Sequence, residues 1–328
     1  MSCVDVKNQR TSMSTNYIVA SYGRPKMLKT FETLPKRCLQ HVELWVRPEE
    51  VKAYKAEWYA NKVKKIFVWP DEIDCIAKKR KWLGDVYDKN FTLIDDDLSM
   101  YVWHPKMSKY VQASHAEKRF EREFLERFPS LFEDHWSVSV PMKLFSDQKA
   151  KLLTEKTGKL ISHDQLGYVF SGYRKGSLRN LRHRTFVFTD LSLSIQAYKK
   201  TKSSVVYYGM CFQQSGAKEL ANTGVGTYRT DLVKKSEALK MMNLYPGIVT
   251  GFKANKVENG GGITIEKRMS RLKTGVKEEH IEKTLDKLEE ILEQNGLFKV
   301  PKRFEIEFST PRAEIERMIK KYWKEAKK

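Results

Sequence analysis

The chain has 328 residues, 41% of them hydrophobic, enough to bury one large domain or one domain with an appendage. Its 61 Lys and Arg against 41 Asp and Glu leave a net charge of +20, which favours a polyanionic partner because each neutralised phosphate releases a counterion. The four cysteines (Cys3, Cys38, Cys75, Cys211) form no CxxC pair, which argues against a disulfide framework or a cysteine-held zinc, and no apolar run approaches the roughly 18–20 residues that cross a membrane.

Residues 1–15 are polar, lack the apolar core of a signal peptide and read as a disordered lead-in. Tyr17 to Ala20 is a strand that runs into turn chemistry at Ser21-Tyr22-Gly23-Arg24-Pro25. A helix over Lys26 to Leu34, a strand over Val42 to Val46, a helix over Glu49 to Tyr59 and a strand over Lys65 to Trp69 follow. Next come a basic helix over Ile73 to Leu83 and a strand over Phe91 to Ile94. This alternation predicts an α/β fold with a mostly parallel sheet flanked by helices, whose ligands sit beyond the carboxyl ends of the strands. Arg24 and Asp95 to Asp97 fall there.

The middle is less regular. Helices are expected over Ala116 to Arg127, Asp190 to Tyr198 and Lys234 to Asn243. Strands are expected over Tyr168 to Phe170, Thr185 to Phe188 and Ser204 to Tyr208, with loops at Asn222 to Gly226 and Asn259 to Gly262. After about Gly275 an amphipathic helix over Glu278 to Gln294 precedes a strand-like Phe304 to Phe308. A last helix, with Thr310 as N-cap and Pro311 at its first position, carries Ile315, Ile319 and Trp323 on one side and lysines on the other. The organisation expected is therefore a lead-in (1–15), a catalytic domain (16–275) and a basic α-rich extension (276–328).

Asp95, Asp96 and Asp97 follow directly on an apolar strand. Three adjacent carboxylates repel one another, and a divalent cation offsets that cost, since Mg²⁺ or Mn²⁺ prefers carboxylate, water and phosphate oxygen. In an extended segment Asp95 and Asp97 point to one side, so the two could share a metal. The competing reading makes the triplet an N-cap for a helix from Leu98 onward.

The segments IVASYGRP, RKW and FTLIDDDL, in that order, resemble the nucleotide-sugar half of GT-A glycosyltransferases. Within that class they are most similar to bacteriophage enzymes that glycosylate modified bases of phage DNA. TDLSLSIQAY (Thr189 to Tyr198), NTGVGTYRT (Asn222 to Thr230) and SEALKMMNLYPGIV (Ser236 to Val249) resemble three further blocks of that family, in order, so the likeness spans roughly Tyr17 to Lys273. Two departures stand out. Val187 and Phe188 occupy positions where the family has an acidic pair, and Tyr245 replaces a histidine that could hold a metal.

The resemblance implies a GT-A fold and a hexosyl- or pentosyltransferase that uses Mn²⁺ or Mg²⁺ and a UDP-sugar, with glucose and arabinose both open. It also implies double-stranded DNA with hydroxymethylated bases as acceptor, 5-hydroxymethylcytosine first, and a host-cell cytoplasm. Ser21, Tyr22, Arg24, Asp71, Arg80, Asp95 and Asp96 become candidates for the donor, with Asp95 and Asp97 for the metal. Asp71 could instead cap the helix that follows it, and the lysines around Arg80 read as solvated. Asp190 is the candidate base for an inverting displacement; without a base, a retaining course assisted by the departing phosphate is the alternative. Arg174, Lys175, Arg179, Arg182 and Arg184, with Gly224, Gly226 and Arg229, are candidates for the DNA side. Competing classes are a glycosyltransferase acting on glycans or proteins, a metal-dependent phosphoryl transferase, and a non-catalytic DNA-binding protein.

Overall fold

The computed structural model of the chain describes residues 15–143, 146–163, 170–214, 231–254, 263–301, 307 and 309–327. Strands β1 (Asn16–Ala20), β2 (Val42–Val46), β3 (Lys65–Val68) and β4 (Phe91–Ile94) lie side by side in the order β3-β2-β1-β4, all parallel. Helices α1 (Lys29–Thr33), α2 (Lys36–Leu39), α3 (Val51–Lys55) and α4 (Ile76–Val86) connect them. The sheet grows to eight strands through β7 (Ser137–Val140), β8 (Ile161–Ser162), β9 (Phe170–Tyr173) and β10 (Ser204–Tyr207), in the order β4-β9-β7-β10-β8. Strand β9 is antiparallel to both its neighbours, whereas β7 and β10 are parallel to each other. This is the α/β layout expected from the sequence.

Alternation of side chains divides the core. Tyr17 and Val19 of β1 join Val42, Leu44 and Val46 of β2 under a phenylalanine-rich helical layer. That layer is α5 (Glu117–Arg122), a π-helical turn (Glu123–Arg127) and α6 (Phe128–Ser130), with Phe120, Phe124 and Phe128 fully buried. Ile18, Trp45, Phe91 and Leu93 face the other way, under Leu83 of α4 and Leu193 and Ala197 of α8 (Thr189–Thr201). The ends of these helices therefore converge on the carboxyl ends of the strands.

The structure corrects several expectations. The residues from Leu98 onward form strand β5 (Leu98–His104), which pairs with β6 (Lys109–Gln112) and β11 (Met210–Gln214), so the aspartate triplet caps no helix. The β-branched and aromatic run Thr185 to Phe188 is not a strand; it is a bent segment that leads into α8. Helix α7 (Ser146–Thr157), between β7 and β8, was not anticipated. The expected loop at Asn222 to Gly226 and turn at Asn259 to Gly262 lie outside the described residues, as do most of the expected strands at Tyr168 to Phe170 and Phe304 to Phe308.

The C-terminal segment is built into the core. Helix α9 (Asp231–Leu244) and the hairpin β12 (Val249–Ala254) and β13 (Ile263–Lys267) precede the short α10 (Arg271–Thr274) and the long α11 (Glu278–Gln294). Leu288 and Leu292 of α11 pack with Ala238 and Met242 of α9 and with Leu191 and Ile195 of α8. The last helix, α12 (Arg312–Glu325), starts after Pro311 and not after Thr310, and Pro311 has no N–H to leave unpaired. Its Ile315 and Ile319 pack on Cys75, Ala77, Phe186 and Val187, while Trp323 enters the cluster shared with α8 and α9. Ile319 has no exposed surface. We therefore expect Ile319→Ala to cost about 2–5 kcal/mol in urea unfolding, whereas Lys320→Ala, one residue away and exposed, should stay within about 0.5 kcal/mol.

Candidate active site

The strand order β3-β2-β1-β4 reverses direction between β1 and β4, and ligands of open α/β sheets bind in the crevice at such a reversal. Residues 21–24 leave β1 there, and residues 95–97 leave β4 beside them. Thr30 ties the aspartate segment down. Its hydroxyl donates to the Asp95 carbonyl (2.6 Å) and accepts from the Leu98 N–H (3.0 Å), and its own N–H donates to the Asp96 carbonyl (3.2 Å).

The three carboxylates have different surroundings. Asp96 is buried; it accepts from Ser21 Oγ (2.5 Å) and pairs with Arg24 Nη1 (3.0 Å). Burial pushes its carboxyl above the usual range, and Arg24 and Ser21 oppose that rise. Ser21 Oγ also lies 2.8 Å from the Tyr54 hydroxyl. Asp97 accepts from Gln214 Nε2 through Oδ2 (3.1 Å), while its Oδ1 is buried with no hydrogen-bond partner. Asp95 keeps some open surface yet lies deep in the cleft, and burial pushes its carboxyl up to about 7. Asp97 contributes the next largest increment, Arg80 opposes it, and Asp96 and Asp190 add further like charge.

A divalent cation fits these residues. Asp97 Oδ1 is a buried acceptor without a donor, and the Asp95 carboxyl is held up by desolvation and by its neighbour's charge; bound metal would relieve both. Among the described residues no group of three or more His, Cys, Asp or Glu is placed to hold a metal ion. Asp95 and Asp97 would then supply two ligands, leaving the rest to water and to phosphate oxygens of a bound substrate.

Helix α4 points its first turn at the carboxylates. Lys78, Lys79 and Arg80 are all buried, which corrects the expectation that the lysines flanking Arg80 are solvated. Arg80 Nη1 donates to Thr189 Oγ1 (2.8 Å) and lies 4.0 Å from Asp190 Oδ1. Lys79 Nζ sits 5.3 Å from the Trp69 ring centre, and burial lowers its ammonium to about 8. Arg47 pushes in the same direction, against Asp96 and Glu50. Arg47 stacks over the Tyr22 ring at 3.8 Å, and Glu50 accepts from the Gly23 N–H. Asp71 is exposed in the turn before α4 and does not cap it, since the helix begins at Ile76 after Cys75. Trp82 packs against Trp45 and Trp69 in the core.

Asp190 lies in the first turn of α8, half-buried, where a carboxylate suits the helix N-terminus. The preceding Phe188 has a left-handed backbone (φ 60°), a strained state for an aromatic residue that its surroundings must hold. Glu237 helps to hold it: it accepts from the Phe186 N–H (2.6 Å) and pairs with Lys240 (2.7 Å), both side chains wholly buried. Tyr245 is buried with its hydroxyl 2.8 Å from Ser192 Oγ.

The basic run does not gather at the aspartates. Strand β9 is antiparallel to β4 with Tyr173 opposite Phe91, so Arg174 and Lys175 leave at the edge of the sheet away from Asp95 to Asp97. Lys175 there bonds Asn90 and Asp88, and Arg174 lies over Trp136. Both therefore depart from the expectation that they border the acceptor side. Arg179 and Arg182 are exposed alongside α8, and Arg184 is half-buried closer to its start. Gly224, Gly226 and Arg229 lie outside the described residues. Sequence reasoning missed Thr30, Arg47, Glu50, Tyr54, Lys79 and Gln214. Only Lys79, inside the basic helix, carried any signal, because the others reach the cleft through pairings of elements far apart in sequence.

No family model matches the chain, and no curated protein matches it in sequence. Among solved structures it is similar to glucosyl-3-phosphoglycerate synthase from Mycobacterium tuberculosis in complex with Mg²⁺ and uridine diphosphate. The identity is 9% over 78% of this chain and 88% of that one, with a TM-score of 0.39. The same enzyme in complex with Mn²⁺, uridine diphosphate and phosphoglyceric acid gives 10% identity, the same coverage and a TM-score of 0.38. A mycobacterial protein gives 9% identity over 78% of this chain and 84% of that one, with a TM-score of 0.39. Likeness at this level assigns no activity, and the fold assignment above rests on the strand order.

The Lys79 environment has a pH signature. The folded ammonium, at about 8, lies below the ordinary lysine value of 10.5, so between those values the unfolded chain binds the extra proton. Stability should therefore rise with pH across that window, by about 3 kcal/mol at most. Urea unfolding of Lys79→Met should show a flatter pH profile between 8 and 10.5 than the wild type and a higher stability below pH 8.

Proposed function

We propose that the chain is a metal-dependent GT-A glycosyltransferase that moves a sugar from a UDP-sugar to a hydroxyl of a modified base in phage DNA, with 5-hydroxymethylcytosine as the acceptor. The observation that carries this reading is the division of labour among three adjacent carboxylates at the sheet reversal. Asp96 is taken up by Arg24 and Ser21, while Asp95 and Asp97 stay mutually repelled, with Asp97 Oδ1 unpartnered. A structural turn gains nothing from that arrangement, whereas a cation and a diphosphate do. The net charge of +20 supports DNA over a neutral glycan or protein acceptor.

In this reading Asp95 and Asp97 hold the metal, which when bound would neutralise the departing diphosphate. The chain's own groups do the rest. Arg24 and Thr30 keep the aspartate segment rigid, so the carboxylates need not reorganise as charge develops. Tyr22, with Arg47 stacked on it, and Lys79 line the β1 side of the cleft, where a nucleotide's base and phosphates would lie. Asp190 takes the proton of the acceptor hydroxyl, oriented by Arg80 and by the fixed first turn of α8. The acceptor base must be reached in the groove or flipped out of the stack, at a cost of a few kcal/mol that pocket contacts offset.

Two substitutions test the chemistry. Asp97→Ala should abolish transfer and also the rise in melting temperature that Mn²⁺ produces in the wild type, while circular dichroism stays native. Full activity of that variant in EDTA would refute the metal role. Asp190→Asn should lower kcat by roughly 10²–10⁴-fold with little change in donor KM, and a wild-type rate would leave Asp190 as a helix-end carboxylate only. A donor screen with Mn²⁺ and hydroxymethylated duplex, read by nucleoside mass spectrometry, tests the acceptor. Sugar transfer to a glycan or protein but not to DNA would remove the DNA part of the reading.

A further inference from the structure

The segment between β9 and α8 lies along the side of α8 and runs antiparallel to it. Lys200 Nζ donates to the Arg179 carbonyl (3.3 Å) near the end of the helix. Midway, the Arg182 N–H donates to Gln196 Oε1 (3.1 Å), and Gln196 Nε2 donates back to the Arg182 carbonyl (2.9 Å). At the start of the helix the contact comes from α4 instead, where Arg80 bonds Thr189 beside Asp190. The segment is anchored from beneath: Leu178 and Leu181 are in the core, and a Cβ at Gly84 of α4 would come within 2.8 Å of the Leu178 Cβ, so only glycine admits this contact. The exposed side chains on it are therefore presented by a fixed backbone.

We infer that a nucleic-acid backbone lies along this side of α8, held by Arg179, Arg182, Lys199, Lys200 and Lys202, with the reacting base at the Asp190 end of the helix. The inference rests on the DNA-acceptor reading above and adds the path of the strand. All five side chains are exposed, and among the described residues none of them forms an ion pair, in contrast to Lys175, which faces Asp88 at 3.6 Å. Lys199 and Lys200 complement the C-terminal dipole of α8, but that effect fades within a turn and gives no reason for Arg182 beside the middle of the helix. The helix has 13 residues and so measures about 20 Å, which matches the rise of about six base pairs. The five cations lie along the C-terminal half of α8, beside Gln196 and beyond, so a polyanion held there would contact one flank of a modified base placed at the Asp190 end.

The test uses the full-length protein and fluorescein-labelled hydroxymethylated duplexes, with Kd measured between 50 and 200 mM salt. Each lost phosphate contact removes about 0.9 from the slope of log affinity against log salt. Lys199→Gln/Lys200→Gln should therefore flatten the wild-type slope by about 1–2, and Lys199→Arg/Lys200→Arg should restore it. In steady-state assays the wild-type KM for DNA should fall as one flank is lengthened to about six base pairs, and the glutamine variant should lose that dependence. An unchanged slope and unchanged flank dependence in the glutamine variant, with a native melting curve, would overturn the path. A slope flattened only by Lys320→Gln/Lys324→Gln on α12 would also overturn it, yet leave DNA as the acceptor. Absence of duplex binding by the wild type even at low salt would overturn the acceptor reading and the path together, while Mn²⁺-dependent donor hydrolysis would still stand.

Discussion

Mutual repulsion of Asp95, Asp96 and Asp97 is the constraint around which this molecule is arranged. Three carboxylates on consecutive residues, sunk below the surface, would expel one another from an unsupported loop. They stay because β4 is locked between β1 and β9 and because Thr30 bonds the backbone on both sides of Asp96. Cations then converge from separate elements: Arg24 from the end of β1, and Lys79 and Arg80 from α4. Removing Arg24, the direct partner of Asp96, would leave a buried carboxylate uncompensated, which costs more than the pair contributes when intact. The cleft is thus preorganised at the expense of stability, as sites built for charged ligands usually are.

The C-terminal helix serves the same end from outside the sheet. Asp74 joins it to the cleft: its carboxylate accepts from the Arg312 N–H (2.8 Å) and pairs with Lys78 (3.0 Å), and its carbonyl accepts from Arg47, which stacks on Tyr22. Ile315 and Ile319 press on Cys75 and Ala77, so the start of α4, and with it Lys79 and Arg80, is braced by a helix more than 200 residues away in sequence. The same contact gives a physical reason for Val187. Val187 is buried in one apolar cluster with Ile315 and Ile319, where an unpaired carboxylate would be costly. The segment after Gly275 therefore shares its core with the α/β body, however distinct its composition.

Some of this was legible in the sequence, because it depends on local pattern. The alternation of short apolar runs with amphipathic stretches reports strand and helix through periods of 2 and 3.6 residues, and a parallel sheet follows from the alternation. The aspartates stood out because carboxylates directly after an apolar strand have few structural uses. Ile281 to Leu292, and Ile315, Ile319 and Trp323, marked two helices by spacing alone. Sequence reasoning failed where tertiary contact overrode local preference. Thr185 to Phe188 has strand composition, yet a left-handed Phe188 and the Glu237 hydrogen bond to Phe186 bend it into a helix start. Leu98 to His104 became a strand because β6 and β11 were available to pair with it.

The sequence by itself determined the α/β class, the position of the acidic cluster at a strand end and the excess of positive charge, since composition and periodicity are properties of the chain alone. Which charges meet was decided only in three dimensions. Arg174 and Lys175, ten or so residues from Arg184, emerge at the opposite edge of the sheet because β9 is antiparallel to β4, about 13 Å of strand away from the aspartates. Lys79, Arg47 with Glu50, and Gln214 reach the cleft from three separate parts of the chain, and their convergence depends on strand order. Strand order, in turn, is set by long-range burial and pairing, which leave no trace in the spacing of residues along the chain.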